Sequence, residues 1–337
     1  MIPRRERPPR INGYEAGWQE AARLVASRRI SGLQVRCPSC RSKGMLFSKW
    51  VKGQAVKPVY VIHGNGNGKL KACLLDTAQA ARARSGITLT RDDIAKLLRL
   101  GKAYALFSGG KDSLCVIEYM RRIAKRAGVE ITALHADTTA GFPEVESYVQ
   151  RVCRKLNVKL EVVRPPHDYF ELAKRWGIPG VKSRWCCETL KIAPMRRFLQ
   201  DVEGPKVVFD GIRAAESWLR ATYIPVWYHP SFRCISVSPI FGWPNEKVVR
   251  YIDDKRLPQS PVAEIGTSAE CWCGAYKSKA DFKALLEIHP EIFNKLVTVE
   301  KAQKGKFTFI YEDGERIPLT ALRTPKNDKR SSQAETR

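Results

Sequence analysis

The sequence lacks any apolar run of about 18 to 20 residues, the length that a membrane-spanning helix needs. Its first residues, MIPRRERPPR, carry charge and proline with no apolar stretch behind them, which predicts that there is no secretion signal. We therefore expect a cytoplasmic protein without a membrane partner. Hydrophobic residues make up 44% and charged residues 28%, which excludes wholesale disorder and a fibrous repeat.

Acidic residues are few compared with basic ones. Lys and Arg number 59, Asp and Glu number 34, and the formal net charge is +25. This excess is larger than solubility requires and attracts polyanions. Nucleic acid is the expected partner class, and a generally basic surface without such a partner is the alternative.

Disulfides are disfavoured, because the ten cysteines lie in a chain for which no secretion signal is predicted. Cys37 and Cys40 form a CxxC turn, and alternating apolar segments, His63 and Cys73 follow it. Tetrahedral zinc takes four nitrogen or sulfur ligands, and a CxxC turn supplies two of them. The pattern indicates a zinc-ribbon-like unit, with a redox-active or metal-free CxxC as the alternative.

From residue 103 short apolar strands alternate with amphipathic helices, which is typical of an α/β fold with a doubly wound parallel sheet. The predicted strands cover 103–107, 132–135, 159–163 and 206–209, and the helices between them cover 113–128 and 143–156. Ligands of such sheets bind at the carboxyl ends of the strands.

The length of 337 residues exceeds the usual size of a single domain. We predict four segments along the chain. They are a basic tail with the zinc-ribbon-like unit (1–75), a helical linker (76–100), the α/β domain (101–285) and a C-terminal extension with a basic, disordered tail (286–337).

A loop with the sequence SGGKDS follows the first strand of the α/β domain and opens its first helix. Glycines at a helix start let backbone N–H groups point at an anion, so the loop is predicted to bind phosphate. It matches neither the GxxxxGK[ST] loop nor the GxGxxG loop. The predicted phosphate-binding residues are Ser108, Gly109, Gly110, Lys111, Asp112 and Ser113.

This loop resembles the signature of the PP-loop ATP pyrophosphatases, which cleave ATP between the α and β phosphates. Five further segments occur in the order found in the phosphoadenosine phosphosulfate (PAPS) reductase family of that superfamily. They cover residues 135–144, 185–195, 210–220, 238–248 and 270–273. The resemblance implies an adenine nucleotide alpha-hydrolase-like sheet and a site for ATP, or for PAPS as substrate, with Mg²⁺.

The resemblance also implies roles for individual residues. Lys111, Asp112 and Arg213 are the predicted catalytic residues, since a guanidinium and an ammonium group suit phosphate oxygens. Asp137 is expected to bind nucleotide or magnesium. Gly211 and Arg220, together with Arg213, complete the predicted nucleotide-binding set.

A second cysteine group consists of Cys186, Cys187, Cys271 and Cys273. The pattern is similar to the ligand set of the cluster-bearing family members, which implies a [4Fe–4S] cluster held by four thiolates. The chain departs from that pattern at the second pair, where CxC replaces CxxC. Zinc and a reduced or redox-active thiol set are the alternatives, and Trp185 and Trp272 are expected to shield the site.

The family's reductases use a C-terminal cysteine as nucleophile, and no cysteine follows Cys273 in this sequence. We therefore expect a different reaction, in which ATP adenylates an acceptor in nucleic acid and sulfur then displaces AMP, as in tRNA thiolation or DNA phosphorothioation. A protein that donates sulfur or electrons is an expected partner. The alternatives are a sulfonucleotide reductase and a non-catalytic, nucleotide-sensing protein that binds nucleic acid.

The N-terminal unit is the predicted nucleic-acid contact, together with basic surface flanking the ATP site. Trp50, Lys52, Lys57 and Tyr60 combine positive charge with aromatic rings, as nucleic-acid surfaces do. The alternative is that these side chains only cover the core of a hairpin.

Overall fold

The computed structural model describes residues 12–48, 59–64, 70–85, 87, 89–260 and 271–323. The basic residues of 1–11, the predicted nucleic-acid contacts Trp50, Lys52 and Lys57, and the predicted disordered stretch 324–337 lie outside these ranges. In the part of the chain that is described, every helix is too short or too polar to cross a membrane.

The described strands form two larger sheets and one hairpin. They are β1 (Gln34–Arg36), β2 (Lys43–Ser48), β3 (Val59–Gly64), β4 (Leu70–Leu75), β5 (Lys102–Leu106), β6 (Ile131–Ala136), β7 (Lys159–Val163), β8 (Lys206–Phe209), β9 (Val226–His229), β10 (Cys234–Val237), β11 (Ile310–Glu312) and β12 (Glu315–Ile317).

The described α-helices alternate with strands in the middle of the chain and follow one another near its end. They are α1 (Asn12–Ser27), α2 (Thr77–Ser85), α3 (Arg91–Leu98), α4 (Lys111–Ala127), α5 (Pro143–Leu156), α6 (Tyr169–Trp176), α7 (Ala193–Asp201), α8 (Trp218–Ala221), α9 (Asn245–Asp254), α10 (Lys279–Ile288) and α11 (Pro290–Ala302).

The central sheet has the strand order β7-β6-β5-β8-β10-β9. All neighbours pair in parallel except β9 and β10, so the predicted doubly wound α/β sheet is confirmed and carries one antiparallel edge strand. Strands β8 and β10 and the middle of β5 are buried, as expected for a sheet covered on both faces. Strands β6 and β7 extend the sheet on one side of β5, and β8 extends it on the other, so the direction in which strands are added changes at β5. The SGGKDS loop leaves the carboxyl end of β5.

The N-terminal sheet is antiparallel, with the order β1-β2-β3-β4. Leu46 and Val61 are buried in its core beside Cys37, and Ile224 and Trp227 of the α/β region pack into the same cluster. The second helix after this sheet, α3, starts with a capping box, because Thr90 Oγ1 accepts from Asp93 N at 3.1 Å.

The chain divides into two compact units. The first contains Met1–Ala136, Val145–Val163 and Ala193–Ser260, and therefore both sheets with the SGGKDS loop. The second contains Asp137–Glu144, Arg164–Ile192 and Pro261–Arg337, and therefore α6, α10, α11 and the β11–β12 hairpin. The four consecutive segments predicted from the sequence stay a prediction.

Candidate nucleotide site and cysteine centres

The SGGKDS loop (108–113) begins just after β5 and ends in the first turn of α4. Gly110 is the N-cap of α4, and no side chain caps the helix there. Its first N–H groups therefore have no partner within the helix, which is what an anion-binding helix start requires. Lys111 is exposed and forms no ion pair among the described residues.

Hydroxyl groups fix the shape of the loop. Ser108 Oγ lies 3.1 Å from Ser113 Oγ, and Ser113 Oγ donates to Gly110 O at 2.8 Å. His135, at the end of β6, donates from Nδ1 to Phe107 O at 2.8 Å and holds the strand end from which the loop leaves. Hydrogen bonds within the protein therefore fix the shape of the loop that is predicted to bind phosphate.

Gly109 has a φ of +92°, and a Cβ there would lie 3.1 Å from Val145 Cγ1. We expect Gly109→Ala to lower the free energy of unfolding by about 1 kcal/mol or more, because alanine strains this backbone conformation. Gly242→Ala is the matched control, since its Cβ would meet nothing within 4 Å. Urea unfolding of both variants measures the difference, and equal losses would contradict the assignment of strain to Gly109.

The loop after β8 approaches the phosphate loop through Gly211. A Cβ on Gly211 would lie 3.2 Å from both Asp112 C and Ser113 N, so glycine permits this close backbone contact. Asp210 anchors the same loop, because it accepts from Ser238 Oγ at 2.6 Å and from Ser236 Oγ at 3.0 Å. Burial raises the pKa of Asp210 and these hydrogen bonds oppose that rise.

Arg213 is buried, with 2% of its side chain exposed. Its Nε donates to Asp112 Oδ1 at 2.7 Å, its Nη1 to Trp243 O at 3.1 Å and its Nη2 to Asn245 Oδ1 at 2.9 Å. Three of the guanidinium's five N–H donors are thus committed to protein acceptors. This arrangement favours a positioning role for Arg213 toward the phosphate loop, and its direct contact with phosphate stays a prediction.

Asp137 and Arg220 have protein partners as well. Asp137 Oδ1 accepts from Thr139 N and its Oδ2 from Arg164 Nε, both at 2.9 Å. Arg220 forms an ion pair with Glu216, and its side chain is 41% exposed. Their predicted roles in nucleotide or magnesium binding stay predictions.

The second unit brings the later cysteines together. Cys273 Sγ lies 3.6 Å from Cys186 Sγ and 3.6 Å from Cys271 Sγ, and the Cys186 and Cys187 side chains are hydrogen-bonded. The hydrogen bond with Cys187 and then burial raise the pKa of Cys186 to about 12. The hydrogen bond with Cys186 likewise raises the pKa of Cys273 to about 11, whereas the hydrogen bond between Cys186 and Cys187 lowers the pKa of Cys187.

Aromatic rings enclose this four-cysteine centre. Tyr169 is fully buried and its hydroxyl donates to Cys273 O at 2.7 Å. The Tyr169 ring stacks on Trp185 at 5.7 Å and meets Trp272 edge-on at 5.0 Å. Trp272 is fixed in turn, because its Nε1 donates to Gly141 O at 2.9 Å.

The donor set of the four-cysteine centre fits a metal group. Four thiols suit an iron–sulfur cluster. Both 3.6 Å separations place Cys273 Sγ close enough to Cys186 Sγ and Cys271 Sγ for the three to share one metal group.

A Cys/His cluster suited to metal binding forms in the N-terminal sheet. The ligand atoms of Cys37, Cys40, His63 and Cys73 all lie within 4.8 Å of one another. His63 Nε2 is 3.0 Å from Cys40 Sγ and 3.4 Å from Cys73 Sγ. Hydrogen bonds from Ser42 lower the pKa of Cys40 to about 6, which supplies a thiolate ligand near neutral pH.

Three other cysteines lie apart from both centres. Cys115, Cys153 and Cys234 are buried, and burial raises the pKa of each to about 12. They are packing residues of the first unit.

Comparison with known proteins agrees with this architecture. Residues 102–278, just over half of the chain, match the phosphoadenosine phosphosulfate reductase domain. The chain belongs to the PAPS reductase family. Members of this family are enzymes that act on nucleotides, which supports a nucleotide-binding role in sulfur transfer or reduction.

Individual relatives share about a third or less of their residues with this chain in the aligned regions. An uncharacterised protein of Methanocaldococcus jannaschii is 32% identical over 162 residues, which cover 48% of this chain and 33% of the length of that protein. A phosphoadenosine 5'-phosphosulfate reductase of Serratia proteamaculans is 27% identical over 150 residues, covering 43% and 59%. The chain thus spans about a third to three fifths of these relatives. The Candida auris PAPS reductase structure aligns with a TM-score of 0.44 at 18% identity, over 59% of this chain and 96% of its own.

Sequence reasoning did not single out several residues of these sites. Asp210 and Asn245 lie inside segments that resemble the family, yet only the fold shows that they anchor the Gly211 loop and Arg213. Tyr169 lies outside all those segments, and no local signal points to its place beside Cys273.

Proposed function

We propose that the chain is an ATP pyrophosphatase that adenylates an acceptor oxygen for replacement by sulfur. The observation that carries this proposal is the uncapped start of α4, where the first N–H groups of the helix and the charge of Lys111 are available to phosphate. An adenine nucleotide whose phosphates lie there exposes its α phosphorus to an acceptor.

The reaction needs charge stabilisation more than covalent chemistry from the protein. The acceptor oxygen attacks the α phosphorus, the bond to the β phosphate breaks, and pyrophosphate leaves. Lys111 stabilises the charge that grows on the phosphates, and Arg213 holds Asp112 and the loop in place. A hydrosulfide-level sulfur from a donor protein then attacks the atom that bears the adenylated oxygen, and AMP leaves with that oxygen.

The two cysteine centres are proposed to hold metals with separate roles. Cys186, Cys187, Cys271 and Cys273 would hold an iron–sulfur cluster, which supplies electrons when bound. The N-terminal Cys/His cluster would hold zinc and stabilise the sheet around it, since structural zinc contributes directly to folding. Cys73→Ser is expected to remove zinc and leave iron unchanged, as metal analysis would show.

Nucleic acid is the proposed acceptor class, because the net charge of +25 far exceeds what one bound nucleotide offsets. Within the predicted N-terminal contact set only Tyr60 is described, and it is half-buried in β3. That set stays a proposal.

Reduction of a sulfonucleotide is the second candidate, favoured by the match to the Serratia PAPS reductase. One assay separates the two. Purified protein is given labelled ATP with RNA or DNA, and PAPS with thiols in parallel. Pyrophosphate release that RNA or DNA stimulates supports adenylation, and sulfite release supports reduction. If neither pyrophosphate nor sulfite is formed, both candidate reactions are refuted.

A further inference from the structure

The last turns of α6 and α11 place two basic, aromatic segments side by side in the second unit. Gln303 Nε2, just beyond α11, donates to Ala173 O in α6 at 3.4 Å. A Cβ on Gly177 would lie 3.4 Å from Gln303 Oε1 and 3.9 Å from Phe307 Cδ2. Segments about 130 residues apart in sequence therefore form one surface.

Two aromatic rings on this surface face solvent. Trp176 is 49% exposed and Phe307 is 51% exposed. The Trp176 ring is held edge-on by Trp185 at 5.5 Å, and Trp185 Nε1 donates to Gly177 O at 3.1 Å. Trp176 is thus a fixed ring with an open face.

The Phe307 segment is also held in place from beneath. Buried Glu300 accepts from Thr308 Oγ1 at 2.5 Å and from Leu319 N at 2.7 Å. Both carboxylate oxygens of Glu300 are therefore engaged in hydrogen bonds within the protein. A ring held by such anchors loses little conformational entropy when a ligand stacks on it.

Exposed cations lie close to both rings in the sequence. None of them forms an ion pair with a carboxylate among the described residues. They are Lys174, Arg175, Lys301, Lys304 and Lys306.

We propose that this surface binds single-stranded nucleic acid, with phosphates at the lysine and arginine side chains and bases stacked on Trp176 and Phe307. The proposal rests on the proposed function and adds where the acceptor strand would lie. Cations beside open aromatic rings suit a polyanion whose base faces are exposed, and a duplex hides those faces. An acidic protein is the other ligand that such charge could attract, and the test includes it.

The test measures fluorescence anisotropy of a labelled oligo(dT) and oligo(U), without ATP, on the full chain. Trp176→Ala and Phe307→Ala should each weaken single-strand binding about 5- to 100-fold, the loss expected when one stacked base loses its platform. Trp176→Phe should restore most of the affinity. Tyr311→Ala is the control, because Tyr311 is 55% exposed but is followed by Glu312 and Asp313, and it should change nothing.

A second measurement tests the cations. Changing Lys304 and Lys306 together to alanine should flatten the slope of log affinity against log salt by about 1.4, from roughly 0.7 per phosphate contact on a single strand. Unchanged affinity in both ring variants, preference for duplex of the same sequence, or equal competition by polyglutamate would overturn the proposal. Failure of pyrophosphate release would refute the adenylation reaction and leave this binding result standing.

Discussion

Gly110→Asp is expected to abolish nucleotide binding while leaving the fold intact. The backbone of Gly110 has φ −80° and ψ 162°, which any L residue adopts, and a Cβ there meets only Ser108 Oγ at 3.6 Å. Aspartate is a preferred N-cap, so its carboxylate would accept from the N–H groups that otherwise face phosphate. The helix gains a cap and the site loses its donors.

Calorimetry with ATP measures the effect. The affinity should fall at least about a hundredfold, because two or more charge-assisted hydrogen bonds of about 1.5–3 kcal/mol each are lost. The melting temperature should stay level or rise, and Gly110→Ala should keep most of the affinity. Unchanged ATP binding by Gly110→Asp would show that the nucleotide lies elsewhere.

The second large effect is expected at the four-cysteine centre. Anaerobically purified protein should contain iron and acid-labile sulfide, about four of each for a [4Fe–4S] cluster, with broad visible absorption. Cys186→Ala or Cys273→Ala should remove nearly all of both, because these two sulfurs lie 3.6 Å apart and belong to one centre. Cys153→Ala is the control, a buried cysteine outside both centres.

The metal and sulfide content of the purified protein distinguishes an iron–sulfur cluster from a single metal ion and from a metal-free centre. One metal ion without sulfide would identify a mononuclear site in place of a cluster. Four thiols that all react with a thiol reagent in metal-free protein, with no iron or zinc after anaerobic purification, would contradict a metal centre there.

Local patterns were sufficient to predict the central sheet and its phosphate loop. β7 and β8 occupy the predicted residues, and α5 spans 143–156 as expected, because apolar periodicity and Pro143 mark these elements in the sequence. The loop was predictable for a similar reason, since its glycines, serines and lysine lie within six consecutive residues.

Features that depend on distant contacts were not predictable. The first unit is assembled from three separate stretches of chain, which no composition shift marks. Arg213 has a motif typical of phosphate binding, yet its bonds to Asp112 and Asn245 depend on partners about 100 and 30 residues away. The surface formed by α6 and α11 likewise exists only after folding.

The origin of the oxygen in AMP tests the central claim most directly. The protein is incubated with ATP, a sulfur donor and a pool of tRNA or DNA in water enriched in ¹⁸O, and AMP is analysed by mass spectrometry. If an acceptor oxygen attacks the α phosphorus, nucleic-acid-dependent AMP forms with no ¹⁸O, because its new oxygen comes from the acceptor. AMP that carries ¹⁸O from water, or ADP in place of AMP and pyrophosphate, would contradict the account.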